Sequence, residues 1–150
     1  VTTDPCYIFD LDGTIANDSH RGIFLATEPK NWDAYYNLVE DDRPIHATIE
    51  IIKALTLFQY GIIGLTARTE RVRPQTEKWL ASYNIKMHKL FMRAENDFRA
   101  DDVVKEEILD TQILPYHDVV GVFEDRKRVI DMYIRRKIFV FDVSQGRGNF

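Results

Sequence analysis

Cys6-Tyr7-Ile8-Phe9-Asp10-Leu11-Asp12-Gly13-Thr14 is the stretch whose reading decides the fold. Its first four residues form an apolar run too short for a helix and without a polar face, so they read as a strand buried on both sides. The strand ends by delivering two carboxylates, a glycine suited to a tight turn and a threonine to the edge of a sheet. Acids at a strand end also occur in ordinary turns. The motif therefore takes its meaning from what the rest of the chain brings to the same edge.

The chain has 150 residues, the length of one domain with enough apolar material for a real core, and a single domain over 1–150 is expected. Apolar residues at 45% and charged residues at 29% describe a globular protein and exclude a disordered tail. No apolar stretch approaches the roughly 20 residues that cross a bilayer, and the start lacks a secretion-signal pattern. The lone Cys6 cannot form an internal disulfide, and a small buried thiol in a strand is ordinary, so a cytoplasmic setting is expected. His20, His46, His88 and His117 are too scattered to suggest a zinc site. A net charge of −4 argues against a generic nucleic-acid coat, while a local basic rim could still hold a polyanion.

Strand and helix signals alternate along the chain. Apolar runs predict strands at 6–9, 62–65, 89–92, 119–123 and 138–141. Ile45, Ile49, Ile52 and Leu55 recur at helical spacing. A second helix has Pro74 in its first turn and Val72, Thr76, Trp79, Leu80 and Tyr83 facing inward. A third begins near Asp101 with Val104, Ile108 and Leu109, and a fourth carries Val129, Ile130, Tyr133 and Ile134. Repeated βα units with all-apolar strands specify an α/β fold: a three-layer, Rossmann-like parallel sheet with helices on both faces and right-handed crossovers. With the five strands numbered in chain order, the expected sheet order is 5-4-1-2-3. Residues 15–44 break the alternation, being polar and aromatic (His20, Arg21, Trp32, Tyr35, Tyr36, and Glu40-Asp41-Asp42). They are too short for an independent lid domain and are expected to form a small flap over the sheet edge, with one short helix at about 32–39. Ligands of open α/β sheets bind at that edge.

In a parallel sheet every strand delivers its C-terminal end to one edge. Asp10, Thr66 and the pair Glu124-Asp125 each follow a strand, and Lys105, in the helix that begins near Asp101, could reach the same pocket. Taken singly, Thr66 reads as a turn residue, Lys105 as a solvated helix face and Glu124-Asp125 as loop acids. Their convergence separates them from those readings. Asp101 stands four residues before Lys105 on a predicted helix, where it either holds the lysine or makes a surface ion pair.

These residues resemble the four motifs of the haloacid dehalogenase-like superfamily over nearly the whole chain. Within it, the chain is similar to the 3′-phosphatase domain of bacteriophage polynucleotide kinases. The likeness rests on Asp10-Leu11-Asp12-Gly13-Thr14, Arg21, Leu65-Thr66-Ala67-Arg68, Met92-Arg93, Arg99 and Phe123-Glu124-Asp125-Arg126. The run Asp101-Asp102-Val103-Val104-Lys105-Glu106-Glu107-Ile108 carries the most weight, being long and not demanded by the fold.

The resemblance implies a Mg²⁺-dependent phosphatase removing 3′-phosphates from DNA or RNA ends. Asp10 matches the nucleophile and Asp12 the general acid and base, which also gives a backbone carbonyl to the metal. Asp10 and Asp125 are expected as hard oxygen ligands, with Glu124 standing where the family often has Asp. Thr66 would hydrogen-bond a phosphoryl oxygen, and Lys105 would neutralise charge on the nucleophile and the transferred group. Arg21, Arg68 and Arg93 match substrate-binding arginines, and Asp101 a supporting partner of Lys105.

No Gly-x-x-x-x-Gly-Lys-[Ser/Thr] occurs, and the chain begins without Met, so a stand-alone phosphatase and a fragment once joined to a kinase domain both stay open. Two other readings are kept. One is a nucleotidase or small-ester phosphatase with the same chemistry; the other is a non-catalytic phosphoacceptor, against which Asp12 argues. Trp32, Tyr35 and Tyr36 are candidates for base stacking or for packing of the short helix. The clusters Arg126-Lys127-Arg128 and Arg135-Arg136-Lys137 either guide a polyanion or form an exposed helix face.

Overall fold

The computed structural model describes residues 4–147. Its main elements are β1 (Pro5–Phe9), β2 (Ala16–Asn17), α1 (Trp32–Asn37), β3 (Arg43–Pro44), α2 (His46–Leu57) and β4 (Gly61–Thr69). They are followed by α3 (Arg73–Ser82), β5 (Lys89–Arg93), α4 (Asp101–Ile108), β6 (Asp118–Glu124), α5 (Lys127–Arg135) and β7 (Val140–Asp142). The main sheet is parallel throughout, in the order β5-β4-β1-β6-β7. With its five strands alone counted in chain order, this is the expected arrangement. The difference of detail is the short antiparallel ladder β2-β3, which the sequence pattern did not signal.

The strands are apolar on both faces because both faces are covered. Cys6, Ile8, Ile63, Leu65 and Val122 pack with Val104 and Ile108 of α4 and Val129, Met132 and Tyr133 of α5. On the opposite face Phe9, Ile62 and Phe123 pack with Ile49 and Ile52 of α2 and Trp79 and Leu80 of α3. Burial at these positions is what holds the site-bearing edge rigid, at about 25 cal/mol per Å² of apolar surface removed from water. Phe9, Phe123 and Phe141 stack across β1, β6 and β7, with ring centroids 4.4 and 4.5 Å apart.

The structure revises several local expectations. Met132 is fully buried and Ile134 is exposed, because the inward face of α5 runs through 129, 130, 132 and 133. The strand β4 continues past Leu65 to Thr69, and its register against β5 shifts between those residues, so Thr66 lies within an irregular strand end. The basic clusters pair with nearby acids: Lys127 with Asp131, Arg135 with Glu106, and Arg136 with Glu106 and Asp110. Exposed pairs of this kind add little stability.

The flap closes on itself. Asn17 pairs with Arg43 and Ala16 with Pro44, and the Ile45 N–H donates to the Ile15 carbonyl at 2.8 Å. Between these ends lie a 3₁₀ turn (Ser19–Leu25), α1 and a second 3₁₀ turn (Val39–Asp41). Asn31 caps α1 by accepting from the Ala34 N–H at 3.0 Å. Tyr35, Tyr36 and Val39 then pack on Val72 and Met92, and the Trp79 indole donates to the Asp42 carbonyl at 2.8 Å. Among the described residues no helix is long and apolar enough to cross a membrane.

The two neighbouring positions on α5 test this packing. Met132→Ala should cost about 2–5 kcal/mol, while Ile134→Ala should stay within roughly 0.5 kcal/mol of the parent. Urea unfolding of both variants reads the difference, and equal losses would mean that the helix face is misassigned.

Candidate active site

The strand β1 places Asp10 at the sheet edge, and the Asp10 N–H donates to the Phe123 carbonyl of β6 at 3.0 Å. Its carboxylate accepts from Lys105 Nζ at 2.8 Å, and the same ammonium donates to Glu124 Oε2 at 2.7 Å. Lys105 is buried because Val104 and Ile108, on the inward face of α4, draw the helix onto the sheet. Burial alone would lower its pKa, but Asp10 and Glu124 reverse that and keep it firmly protonated.

Glu124 ends β6 and Asp125 follows it, and with Asp10 they form a buried cluster whose ligand oxygens lie within 4.8 Å of one another. Glu124 Oε1 accepts from the N–H groups of Asp125 and Arg126, each at 3.1 Å. Gly13, at φ +81°, lies so close to Asp125 that a Cβ would stand 2.0 Å from its Oδ2. Only glycine fits here, on both counts. Burial, Asp10 and Glu124 push Asp125 up to about 9, and burial with Asp10 pushes Glu124 up to about 7 against the pull of Lys105. Lys105 and the more distant Arg147, 3.6 Å from Asp125, do not balance three buried carboxylates. A hard divalent cation fits both the all-oxygen donor set and this unmet negative charge.

Asp12 faces a different environment. It accepts from Arg21 Nη2 at 2.7 Å and from Arg68 Nη2 at 2.6 Å. Both guanidiniums are also held by Asp42: Arg21 through Nε and Nη2 at 2.7 Å each, Arg68 through Nη2 at 2.9 Å. His20 completes the set, 2.8 Å from Asp42. Two arginines and two carboxylates thus form a closed, charge-balanced quartet. Burial pushes the Asp12 carboxyl up, but Arg68 and Arg21 outweigh it and hold the group at about 2.

One cleft is lined by Asp10, Asp12, Thr66, Arg68, Asp101, Lys105, Glu124 and Asp125, together with Trp32 and Arg126. Thr66 is buried there, and its hydroxyl accepts from the Arg68 N–H at 3.1 Å. Arg21 and Arg93 do not line it. Arg93 donates to the carbonyls of Ala67, Asp97 and Arg99 and to Asp101 at 2.7 Å, tying the 94–100 loop to the strand ends. Asp101 takes Arg93 and Arg126 as partners, and Lys105 gives its bonds to Asp10 and Glu124. The lysine turns inward to the larger negative charge, so the i,i+4 pair does not form. Asp42 is the residue that sequence reasoning missed. It stands in an acidic run beside exposed neighbours, and only the need of two buried arginines for a second carboxylate could have pointed to it.

The family model of the polynucleotide kinase PNKP phosphatase domain matches residues 4–150. A protein of Autographa californica nuclear polyhedrosis virus, named for polynucleotide kinase and RNA ligase functions, is 31% identical over 139 residues, covering 91% of this chain and 19% of its own length. A chain in the solved Pnkp1/Rnl/Hen1 complex superimposes with a TM-score of 0.82 at 27% identity, over 95% of this chain and 46% of that one. The class C acid phosphatase from Bacillus anthracis shares the fold, with a TM-score of 0.65 at 16% identity over 95% of this chain and 67% of its own. The chain therefore spans about a fifth of the viral protein and under half of the chain in the complex. A match running through all the described residues, on a sheet edge built from these acids, leads to one assignment: the chain belongs to the polynucleotide kinase phosphatase-domain family and is a phosphomonoesterase of the haloacid dehalogenase type.

Proposed function

We propose that this domain removes the 3′-phosphate from DNA or RNA ends through an aspartyl-phosphate on Asp10, with Mg²⁺ as its cofactor. The observation that carries the reading is the placement of Asp10 between Lys105 and the buried acids, in the cleft that also holds Asp12. Asp10, Asp125 and the Asp12 carbonyl would hold the ion, with Glu124 beside them. When bound, Mg²⁺ supplies positive charge between an anionic nucleophile and a dianionic ester.

The protein's own groups do the rest. An Asp10 oxygen forms a bond to phosphorus as the bond to the 3′-oxygen breaks, and Asp12 gives that oxygen its proton. Asp12 then takes a proton from the water that attacks phosphorus, which releases phosphate and restores Asp10. Lys105 keeps Asp10 oriented and offsets charge on the transferred group, and Thr66 donates to a phosphoryl oxygen. Arg21 and Arg68 hold Asp12 ionised; a phosphoryl dianion arriving in the cleft would draw Arg68, which lines it, toward itself, and Asp12 would then take up from solvent the proton it delivers. Kinase activity, named for the viral relative, would come from sequence outside this chain, which carries no Gly-x-x-x-x-Gly-Lys-[Ser/Thr].

A 3′-phosphorylated oligonucleotide should be turned over with higher kcat/KM than a 3′-mononucleotide, and the advantage should shrink as salt rises. EDTA should stop the reaction and Mg²⁺ restore it. Equal or better turnover of the mononucleotide at low salt would point to a nucleotidase, and activity resistant to EDTA would remove the metal. Asp10→Asn should lose turnover below detection with an unchanged Tm, and Lys105→Ala should lose at least about 100-fold in kcat.

Asp42→Asn should lower kcat on a 3′-phosphorylated oligonucleotide by roughly 10- to 100-fold while sparing p-nitrophenyl phosphate, whose leaving group needs little protonation. Equal losses on both substrates would show that Asp42 serves folding and not the placement of Asp12.

A further inference from the structure

Trp32 opens α1 on the flap and lines the same cleft as Asp10, Asp12, Lys105 and Asp125. Its side chain is 44% exposed, although the adjacent Tyr35 and Tyr36 are buried. It is the one exposed aromatic among the described cleft-lining residues. An exposed aromatic is common and means nothing by itself. This one is held in place by built structure.

The Asn31 cap fixes its backbone. Tyr36 lies under the indole nearly parallel, at 5.9 Å and 23°, and Tyr35 meets it edge-on at 5.9 Å and 87°. Tyr35 is itself anchored by its hydroxyl on Asp18 at 2.5 Å and by the Arg21 guanidinium 4.2 Å from its ring centroid. The cleft thus presents a rigid apolar plane at its mouth and charged groups on its floor. Lys30 Nζ stands over the Trp32 ring, 5.8 Å from its centroid, so a cation lies against that plane.

A flat π-face next to a cation, beside a phosphoryl-binding floor, matches one ligand chemistry: a nucleobase attached to a phosphorylated sugar. We propose that Trp32 is a stacking platform for a base at the 3′ end of the substrate strand, an inference that rests on the nucleic-acid reading above. Every base has a π-face, so the platform selects strand ends over base-free esters without reading sequence. Indole held against two tyrosines loses little freedom on stacking, which favours the contact.

The test uses two 3′-phosphorylated oligonucleotides of equal length, one intact and one with abasic sugars at the last two positions. Their phosphate charge is the same. The parent enzyme should prefer the intact strand by roughly 5- to 100-fold in kcat/KM. Trp32→Leu, which keeps apolar bulk on Tyr36 and removes the π-face, should abolish the preference by slowing the intact strand alone, and Trp32→Phe should keep most of it. In the Asp10→Asn background, the intact strand should quench tryptophan fluorescence more than the abasic one. Brisk parent turnover of both strands with no preference, or an equal loss on both in Trp32→Leu, would overturn the platform and leave the phosphatase reading standing. Failure of the parent on both strands, with turnover of small esters, would overturn the nucleic-acid reading and the platform with it.

Discussion

Burial of like charge at one sheet edge is the constraint on which the rest of this structure depends. Asp10, Asp12, Asp42, Glu124 and Asp125 are drawn together where water is scarce, and a carboxylate there persists as an anion only with a partner. The fold meets the demand in two separate ways. Around Asp12 the balance is complete, with Arg21 and Arg68 set against Asp12 and Asp42. Around Asp10 it is incomplete, since Lys105 and a distant Arg147 face three acids. The charge left over is the feature of the site that calls for a divalent cation.

The division gives two carboxylates, two residues apart, distinct electrostatic surroundings. Asp10 lies beside an ammonium and other acids, in surroundings suited to a nucleophile under a cation. Asp12 lies among guanidiniums, in surroundings whose charge can be redistributed when a phosphoryl group arrives. Gly13 makes the split possible: with no Cβ it lets the backbone turn away within one residue while Asp125 presses against it. The proposed two-step hydrolysis would use two such environments, one for the nucleophile and one for the acid and base.

The flap belongs to the same electrostatic design. Arg21 and Asp42 both come from it, and each is fully or nearly buried only because the β2-β3 ladder and the Tyr35-Tyr36-Val39 cluster fold it back onto Val72 and Met92. Docking the flap and placing Asp12 are therefore one event. A segment of this size does not enclose a ligand as a separate domain would. It positions a side chain and lends the cleft one aromatic wall.

Much of this was legible in the sequence, for a local reason. Apolar periodicity is a property of short windows, so the βα alternation, the parallel sheet it implies and the arrival of Asp10, Thr66, Glu124 and Asp125 at one edge followed from reading along the chain. Lys105 by itself read as a solvated helix face, and only the convergence of its partners and the family resemblance placed it near them. Tertiary structure alone decided the rest. That Asp42 balances Arg21 and Arg68, that Arg93 and Asp101 bind each other and not Lys105, and that Trp32 stays exposed while Tyr35 and Tyr36 do not, all depend on long-range pairing. The 15–44 segment has no repeating apolar period, so its fold is set by the charges and rings it meets across the sheet edge, and those meetings leave no pattern in the sequence itself.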